Sequence, residues 1–235
     1  MKPSESPFPC RWYSFDLEKA GLRDLRPRVG TYGRYDFFAL PPLPFELQGD
    51  WGWLLANEPV KYSIDERAGE QIPASLSALQ DDARSGGIAL PDTFIRFVSD
   101  VDLPRRVRSN TDCYLDLSPG LGAPNGGKGH LVRFLSDSQG CVFWYLYLAP
   151  SGDHAVLSSP DFYGSPEEEE GYYGGRWSQN DKSARKDENL SFAEESFEAF
   201  MWRFWIENEI WFAGFEKRDI PPHGQRYVEA YRKGR

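Results

Sequence analysis

Cys141-Val142-Phe143-Trp144-Tyr145-Leu146-Tyr147-Leu148, then Pro150-Ser151-Gly152-Asp153, then His154-Ala155-Val156-Leu157-Ser158: this stretch decides the fold of the chain. The first segment is rich in aromatic and branched residues and apolar at odd and even positions alike. Successive side chains of a strand point to opposite faces, so such a segment belongs in the middle of a sheet that is covered on both sides. The Pro-Ser-Gly-Asp turn brings the third segment back as its hairpin partner. Outward from this hairpin, His130-Leu131-Val132-Arg133-Phe134-Leu135 reads as a further strand. Cys113 to Leu117 alternates Cys113, Leu115 and Leu117 with Tyr114 and Asp116, which is strand spacing.

The helices lie outside these strands. Pro73 to Leu79 has helical character and is closed by Ser85-Gly86-Gly87, whose glycines suit a C-terminal stop. In Leu90–Val98, Phe94, Phe97 and Val98 share one face and Pro91 sits in the first turn, where its missing N–H costs nothing. Ser196 caps a helix expected from Phe197 to about Phe212, with Phe197, Phe200, Met201 and Phe204 in one stripe. Trp202, Trp205, Ile206, Ile210 and Trp211 widen that stripe almost all round. The fold class expected is α+β: a central sheet, antiparallel or mixed, flanked by helices. Residues 1–71 are broken by prolines yet dense in aromatics, and read as an extended segment packed on the domain. Residues 72–215 form the domain itself, interrupted by a polar acidic insert at 161–190. Residues 216–235 read as a basic, peripheral tail.

Composition narrows the function. The chain has 235 residues and a formal charge of −9. That balance disfavours a general nucleic-acid binder, which needs clustered lysine and arginine. No run approaches the roughly 20 apolar residues that cross a bilayer, and the first residues lack the apolar stretch of a secretory signal, so a cytoplasmic protein is expected. Three cysteines, Cys10, Cys113 and Cys141, with no CxxC spacing, argue against a disulfide framework and a structural zinc site.

No motif completes a catalytic site. Gly122-Ala123-Pro124-Asn125-Gly126-Gly127-Lys128 satisfies GxxxxGK, but Gly129 stands where a hydroxyl must hold magnesium, and a strand follows where a helix should open. Ser183-Ala184-Arg185-Lys186 matches SxxK without its partner motifs. His130, His154 and His223 have no metal-ligand spacing. Neither catalytic residues nor cofactor or metal ligands are therefore assigned. The run Glu167-Glu168-Glu169-Glu170 is read as a candidate docking surface for a basic protein, with Tyr172, Tyr173 and Trp177 beside it as contact aromatics.

Three pieces in order carry a family resemblance. Leu90-Pro91-Asp92-Thr93-Phe94-Ile95-Arg96-Phe97 opens an early helix. Val132 to Leu146 includes Asp137-Ser138-Gln139-Gly140 leading into the aromatic strand. Glu195-Ser196-Phe197-Glu198-Ala199-Phe200 begins the closing helix, continued by Phe204 to Phe212. Over about residues 72–215 this resembles the SUKH superfamily of Smi/Knr-like proteins. The resemblance implies a sheet-centred α+β domain and, as in many bacterial members, an immunity protein that binds and neutralises a toxin domain without a catalytic residue. The partner expected is thus a protein, a basic toxin domain, with no membrane or nucleic acid. The alternatives are a hydrolase or transferase built from scattered Asp, Glu and His, and a regulatory scaffold.

Overall fold

The computed structural model describes residues 1–43, 47–66, 71–124, 128–174 and 187–234, with 173, 174 and 187 described by their backbone alone. In chain order the strands are β1 (Arg11–Ser14), β2 (Gly33–Asp36), β3 (Tyr114–Leu115), β4 (His130–Ser136), β5 (Phe143–Leu148), β6 (His154–Ser159) and β7 (Ser191–Glu194). The helices are α1 (Gly52–Leu55), α2 (Gln71–Ser85), α3 (Asp92–Ser99), α4 (Pro166–Gly174), α5 (Phe197–Phe215) and α6 (Pro222–Lys233). The fold is α+β, with a five-stranded sheet in the order β3-β4-β5-β6-β7, antiparallel throughout, and a two-stranded sheet of β1 and β2.

The aromatic strand is central, as its pattern requires. Trp144, Leu146 and Leu148 point to one face, and Phe143, Tyr145 and Tyr147 to the other. The turn before it is set by Asp137. Its carboxylate accepts the N–H groups of Gln139 and Cys141, and Gly140 adopts φ 69°, a left-handed conformation that favours glycine. A register shift between Arg133 and Leu135 lets the consecutive Phe134 and Leu135 both join the helix-side core.

α5 covers that face. The Ser196 hydroxyl accepts the Ala199 N–H and caps the helix. Phe197 and Phe200 meet Phe134 at centroid distances of 5.0 and 5.5 Å, and Phe204 meets Trp144 at 6.1 Å. α3 adds Phe94 and Phe97 against Phe197, at 5.0 and 5.5 Å.

The opposite face is covered by irregular chain. Phe8, Cys10 and Phe37 of the N-terminal segment, with Phe162, Tyr163, Tyr172, Leu190 and Phe192, close over Tyr145 and its neighbours. The N-terminal segment also lengthens the sheet: Phe192 donates its N–H to the Pro9 carbonyl, and Cys10 bridges Phe192 in parallel.

Several elements depart from the sequence reading. The expected strand over Cys113–Leu117 shortens to β3, and β7 was hidden between the insert and the closing helix. The tail is not peripheral: α6 buries Tyr227, Val228 and Tyr231, a helical stripe started by Pro222. The three cysteines, whose usage without disulfide or zinc spacing reads as small buried apolar side chains, divide: Cys141 is exposed and Cys10 half-buried, and only Cys113 is a buried thiol.

Candidate partner-binding site

The acidic run forms the first turns of α4. Ser165 precedes Pro166, and Ser165 and Glu168 exchange bonds: the Ser165 N–H donates to Glu168 Oε2 at 2.9 Å, and the Glu168 N–H to Ser165 Oγ at 3.4 Å. This reciprocal cap satisfies amides that a helix start leaves without partners. Carboxylates there are also favoured by the positive end of the helix dipole. The Ser-x-x-Glu spacing of Ser165 and Glu168 carries this cap in the sequence, inside a stretch read as polar insert.

The four glutamates do not share one role. Glu168 turns inward, and its Oε1 accepts from Arg133 Nη2 at 2.8 Å. Arg133 also donates to Asp116 at 2.7 and 3.1 Å, and its guanidinium lies 4.6 Å from the centroid of Phe162. Burial works against the charge of Arg133, but Asp116 and Glu168 outweigh it and hold the guanidinium ionised. Glu169 is buried, and its Oε1 accepts the Gly164 N–H at 3.4 Å. Glu167 and Glu170 are exposed. Tyr172 is committed to packing, stacked 4.2 Å from Phe162 and edge-on to Phe143. The side chain of Tyr173, and Trp177, lie outside the described residues.

Two adjoining hollows, each of about 690 Å³, run beside α4 and share Gly86, Ile88 and His130. The first reaches Asp82, Glu167 and Glu168, and the second Asp92, Asp153 and His154. Register explains why two of the scattered histidines meet here: His130, Leu148 and His154 lie opposite one another on β4, β5 and β6. His154 is held below the usual imidazole range by burial and then by the nearby N-terminal amine. Among the described residues no group of three or more His, Cys, Asp or Glu could hold a metal ion. The GxxxxGK stretch is followed by β4 and not by a helix, with Gly122 bridging Leu131, and Gly129 at φ 93° would bring a Cβ within 2.6 Å of the Leu148 carbonyl. Asn125–Gly127 and Ser183–Lys186 lie outside the described residues.

No family model, no curated protein and no solved structure matches the chain.

The strongest ionic perturbations belong to the interior instead of the groove. Arg26 forks onto Glu207 with both contacts at 2.6 Å, and Trp12, Ser14 and Tyr227 also donate to Glu207. Burial pushes the Glu207 carboxyl up, but Arg26 and these donors prevail and leave it below the usual carboxylate range. Arg203 reaches Glu194, the Pro41 carbonyl and Tyr227. These bonds fasten the N-terminal segment and α6 to α5. The Cys113 thiol, pushed up to about 11 by burial, is a packed side chain and no nucleophile at neutral pH. Among the described residues no helix is long and apolar enough to cross a membrane.

Proposed function

We propose that this chain is a non-enzymatic protein-binding domain of the SUKH immunity type, which neutralises a toxin domain by docking its basic surface. The observation that carries this reading is the acidic side of α4. Arg133 fixes the helix to the sheet through Glu168, so that Glu167 and Glu170 stand exposed, Glu167 at the edge of a groove that among the described residues is lined by no lysine or arginine. Fixed exposed carboxylates attract a cationic partner over several ångströms and raise the encounter rate, while nearby apolar and aromatic surface slows its departure. Tyr173 and Trp177 remain the contact aromatics of this proposal, whereas Tyr172 packs on Phe162 and Phe143.

Co-expression tests it. A toxin-like protein encoded next to this chain is co-produced with it in a bacterial host, and growth and co-purification are measured. The reading expects growth to be restored and a stable complex recovered. Growth restored without a complex, accompanied by chemical change in the toxin or its product, would favour a hydrolase or transferase instead.

A further inference from the structure

The groove beside α4 differs from a plain acidic surface in having an apolar floor. Ile88, Leu121 and Leu148 line its two hollows, while Asp82, Asp92, Asp153 and Glu167 stand exposed around them; among the described residues no lysine or arginine lines either hollow, and the N-terminal amine bonds the His154 carbonyl beside the second. Its walls come from separate parts of the chain: the α2–α3 connection, the β3–β4 connection, the β5–β6 turn and the start of α4.

We infer that this groove seats an extended, arginine- or lysine-bearing segment of the partner, with apolar side chains on the floor and cations at the rim. The inference rests on the protein-binding reading and deepens it by naming the surface and the occupant. Charge complementarity selects the sign of that occupant. A lysine or arginine suits both parts of the groove, because its alkyl stem covers apolar surface while its head stays at the wet rim. Gly86, Gly87, Gly129 and Gly152 contribute to the walls. Residues without side chains let another main chain come close, which favours an extended segment over a helix, whose own amides are already used. Rim charges exposed to water act over a Debye length, so binding here weakens as salt rises.

The probe is a synthetic octapeptide alternating arginine and leucine, with a glutamate–leucine octapeptide as its counterpart, titrated by fluorescence anisotropy at low and high salt. The arginine peptide is expected to bind the full chain and the glutamate peptide not to. A triple variant, Asp82→Asn, Asp153→Asn and Glu167→Gln, is expected to lose roughly tenfold in affinity and most of the salt dependence. The same number of neutralisations at Glu58, Asp219 and Glu229, exposed residues that line neither hollow, should leave affinity within about twofold. Ala89→Trp, at an exposed groove position, keeps every charge and should block the peptide by bulk. Circular dichroism and thermal melts confirm that each variant is folded. Failure of the arginine peptide to bind, or equal losses in the two triple variants, would overturn the inference. A partner captured equally well by the groove variants would remove the groove and leave the protein-binding reading standing. Peptide binding with no toxin captured would do the reverse.

Discussion

The two faces of the central sheet are built by different means. One is covered by helices whose apolar positions recur at helical spacing, so that Phe197, Phe200 and Phe204 follow one another onto Phe134 and Trp144. The other is covered by pieces with no common period: a proline-broken N-terminal segment, the start of the former insert with Tyr172 of α4, and Leu190 with Phe192 of β7. The first face meets its helices by dispersion and burial among rings, and buried ion pairs of α5 fasten the N-terminal segment and α6 behind them. The second also needs polar fastenings, since irregular backbone does not satisfy its own amides and carbonyls. The Ser165–Glu168 cap and the Pro9–Phe192 bond supply some of them.

This contrast can be broken most severely on the helical face. Phe200→Ala removes a fully buried ring between Phe134 and Trp144 and is expected to destabilise the protein by roughly 3–5 kcal/mol, read from denaturant melts. An unchanged midpoint would mean that α5 does not pack as described. The next largest effect lies where the N-terminal segment is fastened to α5. Arg26→Met leaves Glu207 buried without its cationic partner and should cost on the order of 3 kcal/mol. The same pair sets a pH dependence. The folded-state pKa of Glu207 lies below its unfolded value, so its contribution is present above the ordinary carboxylate range and is lost as pH falls through the folded pKa. Stability of Glu207→Gln measured across that acid range should therefore vary less with pH than that of wild type. On the irregular face, Tyr172→Ala removes a half-buried ring stacked on Phe162 and should cost only about 1–2 kcal/mol. A loss as large as that of Phe200→Ala would show the two faces to be equally demanding.

The same contrast explains what could be read from the sequence. The central hairpin, α3 and α5 announce themselves by dense apolar and aromatic runs, closed by a turn in the hairpin and opened by Pro91 in α3 and the Ser196 cap in α5. β7 does not, since Ser191-Phe192-Ala193-Glu194 is too short to display a period and directly follows the stretch read as a polar insert. α6 carried a readable stripe in Tyr227, Val228 and Tyr231, masked by the basic residues that flank it, Arg226, Arg232 and Lys233. The acidic run was visible as charge, but its division was not. Whether a glutamate faces water or a buried guanidinium depends on Arg133, which lies 35 positions from Glu168 in the chain and reaches it only once the sheet has formed. Asp116, Arg133 and Glu168 are together in space and far apart in sequence, and Glu207 with Arg26 repeats that situation across the N-terminal segment.

The docking proposal is tested most directly by the association rate of the co-purified partner, measured with wild type and with Glu167→Gln/Glu170→Gln at two ionic strengths. The account predicts slower association for the double variant, a weaker dependence on salt, and a dissociation rate that barely moves, because both side chains are exposed and act at a distance. Association rates and salt dependences identical to those of wild type would contradict it and place the partner on another surface.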